Sequence, residues 1–444
     1  MATNRLSRRR LLTGGAGLAG AALLAACGDK GGVAEQGSET GNADSGALNW
    51  WGGVPPENGP NEAIAAFKQK FPKITVTYTR FVNDPTGNLK LDTALQGGTP
   101  IDLFYSYIPG DLQKRVTAGL TLDLTGRANA DSELKFLTAT DPQQTLLFDG
   151  KLHAVPTNKS TTFVFLNKDM LDAAGVTIPD GWDADDYHQI AKRLSSAKVF
   201  GSFNSPEIAV PVLGGNAIYK PGGQESNFDS PAWRRQIQLH VDMIADKSAF
   251  PQTEIVARKL DTYQQAAFLT GQSAMWISQP FSLRYVNDAK NYPHTFKTTF
   301  APFPVPAKGQ QSWTPGGLDN YLSISAKSQN QAAAWTFLRW LTGEGSQHMI
   351  AGGRIPVIGS VSQDVVVEKL LGSDMQARYD VEAFRKVYFK DNIKLPVATT
   401  HAGASEIATE RTKLTNQVLL GQMTVDAWVS EMKSRADAAI KKGK

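Results

Sequence analysis

The chain has 444 residues, 41% of them hydrophobic and 20% charged; that length exceeds what one hydrophobic core ordinarily organises and predicts two lobes. Its formal charge is +4, but four of the basic residues (Arg5, Arg8, Arg9 and Arg10) fall in the first 26 positions, which hold no acid, and the remainder carries 42 basic and 42 acidic residues. That balance removes any electrostatic case for nucleic acid or an anionic membrane surface, the single cysteine, Cys27, excludes an intrachain disulfide, and no later stretch reaches the roughly 20 apolar residues of a membrane span.

Ser7-Arg8-Arg9-Arg10-Leu11-Leu12 leads into a mild apolar run ending at Ala26, the charged, apolar and small-residue order of an export signal. The paired arginines before two leucines resemble a twin-arginine signal. Leu24-Ala25-Ala26-Cys27 resembles a bacterial lipobox, in which the cysteine is lipidated and becomes the new N-terminus. The alternative is a cysteine that merely follows an ordinary cleavage site. The lipobox resemblance implies removal of residues 1–26 and a lipid anchor at Cys27 on the outer face of the cytoplasmic membrane. Gly15-Ala16-Gly17-Leu18-Ala19-Gly20 fits G-x-G-x-x-G, yet no strand precedes it and no acid follows at the required distance, so it is discarded as a nucleotide site. Residues 27–46 are glycine-rich, with Val33 their only large apolar residue; such a segment reads as a flexible tether.

The body opens with a short strand at Leu48–Gly52 and a helix from Pro60 to Phe71, with Ile64, Phe67 and Phe71 on one face. Pro72 stops it. Ile74 to Thr79 alternates apolar and threonine residues as a strand does. A helix near Asn88–Gln96, a strand at Ile101–Ser106 and a helix at Pro109–Ala118 follow. After residue 160 the order recurs, with a strand at Thr161–Leu166 and a helix running to Leu194 that Asp183 caps, Asp186 standing three residues on. Ala332–Leu341 is a helix with Ala334, Phe337, Leu338 and Leu341 inward, and Val425, Trp428, Val429, Met432 and Ala436 mark a last amphipathic helix. Alternating strands and helices predict an α/β fold of mostly parallel sheets, covered on both faces, in two lobes.

Several blocks in this order resemble family 1 of the extracellular solute-binding proteins. Trp50-Trp51-Gly52 ends the first strand, and Pro100-Ile101-Asp102 precedes Gly119-Leu120 and Asp123-Leu124. The strongest block is Asp149-Gly150-Lys151 to Pro156, followed by Asn167-Lys168-Asp169, Ala174-Gly175, Pro179 and Trp182-Asp183, with Leu166 where the family usually has Tyr. Gly271-Gln272-Ser273-Ala274-Met275, Gly316-Gly317 with Ser325-Ala326-Lys327-Ser328, and Gly352-Gly353-Arg354-Ile355-Pro356 complete the series. The resemblance, from about Leu48 to the C-terminus, implies a two-lobed periplasmic-binding-protein-like fold with a hinge and an interlobe cleft. It places three crossings near 157–160, 299–303 and 342–345, lobe one at 47–157 plus 300–342, and lobe two at 158–299 plus 343–444. It implies capture of a small-molecule ligand, a sugar or short oligosaccharide, and delivery to ABC transporter permease subunits. A monomer is expected, with no nucleic-acid partner and membrane contact only through the lipid.

A sugar site needs flat aromatic surfaces against C–H faces and planar polar groups around the hydroxyls; an unpaired buried polar group costs about 1–3 kcal/mol, which is how such a site discriminates. Candidates are Trp51 at the end of strand one, Tyr105, Ser106 and Tyr107 at a strand end, Lys159 at the first crossing, and Asn204 and Glu207 in a loop. Trp50 faces the other way and is read as core; Trp51 is a cleft residue or a second core aromatic. Ser278, Gln279 and Phe281 stand where many sugar-binding relatives carry Gly-Pro-Trp. Trp313, Gly316, Gly317 and Asp319 form a glycine-rich approach, and Arg354 reaches the cleft or solvent. Trp335, Trp340 and Trp428 have helical packing spacing and are read as structural. Competing ligands are a glycerol phosphodiester, a polyamine or an amino acid.

No metal site and no cofactor is expected: the six histidines are scattered and no zinc, Walker or G-x-S-x-G motif occurs. Ser195-x-x-Lys198 and Ser430-x-x-Lys433 lack the companion elements of penicillin-binding enzymes. Glu207 and Asp319 are the one pair of carboxylates that a glycosidase could use; the expectation is a binder without catalysis.

Overall fold

The computed structural model describes residues 40–443 except 140–145, 360, 390–392 and 397–400; the expected export signal, Cys27 and most of the expected tether lie outside the described residues. Thr40 to Ser45 do not hang free. Thr40 donates through Oγ1 to Ser328 O at 2.9 Å, and Thr336 Oγ1 donates to Ala43 O at 2.9 Å, so this end of the tether is tied to the body.

Two sheets carry the fold. The first has β1 (Gly46–Gly52), β2 (Ile74–Arg80), β3 (Leu103–Ser106), β4 (Val155–Thr161) and β9 (Gly316–Ile324) in the order β2-β1-β3-β9-β4. The second has β5 (Phe163–Asn167), β6 (Phe200–Ser202), β7 (Ser273–Ser278) and β8 (Thr298–Pro302) in the order β6-β7-β5-β8. Each is parallel apart from one reversed strand: β9 runs antiparallel to both β3 and β4, and β5 to both β7 and β8.

Strand periodicity distributes the side chains. Along β5, Val164 and Leu166 enter one core with Trp182, Tyr187, Trp233 and Trp428, while Phe163 and Phe165 enter another with Phe268, Trp276, Phe300 and Phe384. Along β1 and β3, Leu48, Trp50, Leu103 and Tyr105 face the helix Gln331–Thr342 through Phe337 and Leu338, whereas Phe104 turns to Phe81, Leu91 and Leu95. Both faces of both sheets are covered, as parallel strands require. Trp50 is 0% exposed, 4.6 Å from Tyr78 and 5.2 Å from Phe337 between ring centroids. Trp340 and Trp428 are buried and Trp335 is half-buried against the first core, in keeping with packing roles.

Asp183 caps Ala184–Leu194 as its spacing predicts: its carboxylate accepts from Asp185 N and Asp186 N, and Asp186 accepts from Asp183 N. The passages between sheets differ from those expected. β4 remains in the first sheet through Thr161, so Thr162 alone separates it from β5. β8 belongs to the second sheet, and the chain returns to the first only at Gly316. Beyond Thr342 the chain packs on both cores in alternation, Met349 and Ile358 on the first and Ile350 and Ile355 on the second, and from Val361 to Phe389 its apolar residues belong to the second sheet's core. The chain thus passes between the sheets at Thr162 and at 303–315 and between their cores over 349–361, because hydrogen-bond pairing and apolar packing hold each flanking segment longer than the motif boundaries imply.

Candidate ligand-binding cleft

Where β4 passes into β5, the carboxyl end of β3 and the start of β9 face elements of the second half across a cavity of about 330 Å³. Its wall on the first side includes Tyr107, Leu318, Asp319 and Tyr321; Ser160 and Thr162 form the base. The opposite wall includes Glu207, the Gly214–Gly215 turn, Gln279 and Arg411. Ligands of open α/β sheets bind at such strand ends. A larger groove of about 780 Å³, lined by Lys70, Trp335, Arg339 and Glu344, runs over the helical outside of the first half rather than at strand ends.

Asp319 is held in place by the joint itself. Its Oδ1 accepts from Asn158 Nδ2 at 2.6 Å and its Oδ2 from Ser160 Oγ at 2.7 Å, and Asn158 Oδ1 accepts from Ile355 N at 2.6 Å. Burial pushes the Asp319 carboxyl up, while those hydrogen bonds and the Arg354 charge pull it down. Glu207 is reachable from the cavity yet crowded by protein, and that desolvation raises its carboxyl against the pull of Arg411. Arg411 stands on the helix Ala404–Leu419 with its guanidinium 5.8 Å from the Trp233 ring centroid, and forms no direct ion pair with Glu207 among the described residues. The two opposite charges face the same cavity with hydrogen-bonding capacity to offer a polar ligand. Gln279 donates through Nε2 to Thr162 Oγ1 at 3.3 Å, which aims its amide along the floor.

Of the candidates, Tyr107, Glu207, Gln279, Gly316 and Asp319 line this cavity. Gly316 and Gly317 have φ of +136° and +135°; a Cβ on Gly316 would lie 2.4 Å from Ser160 O, so the close β4–β9 approach requires glycine there. Trp313 borders a neighbouring cavity of about 140 Å³, and a Cβ on Gly214 would lie 2.6 Å from its Nε1. Lys159 is exposed and lines a third cavity, with Ile355 and Tyr388.

Others are engaged elsewhere. Trp51 is half-buried against the Phe81–Leu91 cluster, with Lys90 Nζ 5.9 Å from its ring centroid. Tyr105 is 2% exposed and packs on Trp50. Ser106 Oγ accepts from Arg115 Nη1 at 2.7 Å, and Ser278 Oγ is paired with Ser282 Oγ at 2.6 Å. Asn204 uses both ends of its amide on Ile277, accepting from its N at 3.1 Å and donating to its O at 3.3 Å, which ties the loop after β6 to β7. Phe281 lies under Arg284, whose guanidinium is 5.7 Å from the Phe281 centroid. Arg354 donates through Nη1 to Gly352 O at 2.7 Å; burial and the Arg284 charge loosen its proton, and the Asp319 charge acts in the opposite sense. Sequence reasoning missed Ser160, Thr162 and Arg411. The polar alternation of Ser160 and Thr162 is a weak strand signal, and Arg411 sits in a charged helix where nothing local distinguishes it from a solvated face. Among the described residues no three His, Cys, Asp or Glu are grouped to hold a metal ion, and no helix is long and apolar enough to cross a membrane.

Two α/β halves, joined by short crossings around a polar cavity at their strand ends, are the architecture of a solute-binding protein. Residues 55–348 match the profile of the bacterial extracellular solute-binding proteins, and the chain belongs to that family. A binding protein of Brucella abortus is 26% identical over 400 residues, covering 86% of this chain and 89% of the relative. The galactooligosaccharide-binding protein of Bacillus subtilis is 23% identical over 366 residues, 78% of this chain and 80% of the relative. Among solved structures, an ABC substrate-binding protein of Listeria monocytogenes in complex with cycloalternan is similar at a TM-score of 0.72 and 20% identity, over 90% of this chain and 100% of that one.

Proposed function

We propose that the protein captures a sugar or short oligosaccharide by closing two lobes on it, and delivers it to the permease subunits of an ABC importer. The observation that carries this reading is the convergence on one cavity of Tyr107 and Asp319 from one half with Glu207, Gln279 and Arg411 from the other. A ligand that touches both halves favours the state in which they are close, by its differential affinity for that state. The sugar is supported by the aromatic and hydrogen-bonding character of the walls and by the galactooligosaccharide and cycloalternan named for the two relatives. In this proposal lobe one is 40–161 plus 316–349 and lobe two is 163–302 plus 361–443, with 350–360 shared between them. Asp319 has both carboxylate oxygens tied to Asn158 and Ser160, which supports a binding role over a glycosidase pair with Glu207. The extracellular family supports export; lipidation at Cys27, the twin-arginine route and a monomeric state complete the proposal.

The test is a thermal-shift screen against mono- and disaccharides, longer oligosaccharides, polyols, amino acids and phosphodiesters. At a ligand concentration 100 times Kd, binding adds about 2.7 kcal/mol to apparent stability. A rise in the midpoint with saccharides and recovery of the saccharide unaltered are expected. A rise only with amino acids or phosphodiesters would replace the ligand class, and release of hydrolysis products would replace the binder by an enzyme.

A further inference from the structure

The two halves touch at a place apart from the passages that join them. The helix Pro109–Thr117 follows β3, and its Leu112 and Val116 pack with Phe148, Ala154 and Tyr321 of the first half. The helix Ala404–Leu419 places Ile407, Leu414 and Val418 in the core of Trp182, Trp233 and Trp428 in the second half. The starts of these two helices meet: a Cβ on Gly110 would lie 3.6 Å from Ser405 Cα, which is ordinary van der Waals contact. A hydrogen bond crosses beside it, Gln113 Nε2 donating to His401 O at 2.9 Å.

The His401 carbonyl is held for that bond from its own side. Tyr219, 1% exposed, donates through its hydroxyl to the same oxygen at 3.2 Å, and its ring meets the imidazole edge-on with centroids 5.0 Å apart. Gly223, at φ +67°, comes so near that a Cβ there would lie 2.3 Å from His401 Cγ. A Cβ on Gly403 would lie 2.6 Å from Ala439 C, in the last helix. These neighbours fix the chain at 401–403 to the second half, while Gln113, half-buried, belongs to the first.

The contact borders the cleft without entering it. Pro109, at the start of one helix, and Arg411, farther along the other, both line the cavity, and Gln113 and His401 do not. A hinge that parts the halves carries Gln113 away from His401, because each is fixed to a different half. A bond made only when the halves are together favours that state by its own free energy, whatever occupies the cavity. Loss of one neutral hydrogen bond shifts such an equilibrium about two- to ten-fold.

We infer that Gln113 is a positioning residue for ligand capture: its hydrogen bond to the His401 carbonyl latches the halves together and scales the affinity for every ligand by one factor, without taking part in selectivity. This rests on the proposal that the halves close on a saccharide, and it names what holds them closed. Apparent affinity falls with the share of the protein that adopts the binding state, so a weaker latch lowers all affinities alike. A side chain in the cavity wall, such as Glu207, acts on each ligand differently.

Two measurements on the full chain test it. In the first, Gly110→Cys and Ser405→Cys are combined with Cys27→Ser, which removes the natural cysteine. The Gly110–Ser405 approach lies within disulfide reach, so cross-linking by oxidised glutathione, followed by mass without ligand, reports how often the halves meet. Adding Gln113→Leu or Gln113→Glu is expected to slow cross-linking about two- to ten-fold. In the second, calorimetry with galactose, galactobiose, maltose and maltotriose should show every saccharide that binds the parent weakened by the same factor in Gln113→Leu, with the ratios between saccharides preserved. Gln113→Glu, whose carboxylate would face the His401 carbonyl, should weaken them further; a thermal midpoint near the parent's shows that a variant is folded, and either variant suffices if the other is not. Cross-linking and affinities that match the parent's would overturn the inference and leave the sugar proposal standing. Altered ratios between saccharides would do the same, by placing Gln113 against the ligand, and so would a cysteine pair that never cross-links. Slower cross-linking in a protein that binds no saccharide would uphold the latch and overturn the sugar proposal.

Discussion

His240 shows how one side chain sets a pH limit on the fold. It lies in the helix Pro231–Ala245, its Nε2 is buried without an acceptor, and burial lowers its pKa from the usual 6.5 to about 4. The unfolded chain takes up this proton near pH 6.5 and the folded chain only near 4, so between those values the unfolded state binds more protons and stability falls as pH falls. Thermal midpoints measured from pH 7 to 4.5 should decline less steeply in His240→Gln than in the parent; equal slopes would assign the decline to other groups. The adjacent tryptophans illustrate what one residue discloses. Strand alternation correctly sends Trp50 inward, where it is fully buried, but says only that Trp51 faces the other way. What covers that other face, the Phe81–Leu91 cluster with Lys90 above the ring, comes from separate elements. Asn204 is similar: a polar residue in a loop reads as a ligand contact, whereas its amide completes backbone pairing at Ile277.

At the level of elements, helices were read more securely than the strands at the crossings. Asp183 and Asp186 announce their capping box because both partners lie within one turn. The apolar stripes at Phe337-Leu338-Leu341 and Trp428-Met432-Ala436 announce which way their helices face, for the same reason. β4, by contrast, reads Val-Pro-Thr-Asn-Lys-Ser-Thr, a sequence too polar to declare a strand, and it is stabilised by its pairing with β9. Gly316 is the point where that pairing is tightest. Gly316→Ala would place a Cβ 2.4 Å from Ser160 O at a φ of +136°, and strain of this kind costs about 1–3 kcal/mol. The variant is expected to unfold at lower denaturant concentration and to bind saccharide more weakly, because Ser160 and Asp319 would be moved apart; an unchanged unfolding midpoint would show that the strands can separate without cost.

For the whole molecule the proposed function turns on closure. Passages at Thr162, 303–315 and 349–361 join the two halves, and in the proposed lobes they are where a hinge would bend. Small-angle scattering of the protein with its saccharide should give a smaller radius of gyration than without it. An identical radius, with binding shown independently, would mean that the cleft captures its ligand without closing.

Fold class, family resemblance and the caps of individual helices were legible along the chain because each depends on neighbours a few residues apart or on blocks kept in a fixed order. The composition of the cleft was not, since Tyr107, Asp319 and Arg411 meet from distant positions through packing of separate elements.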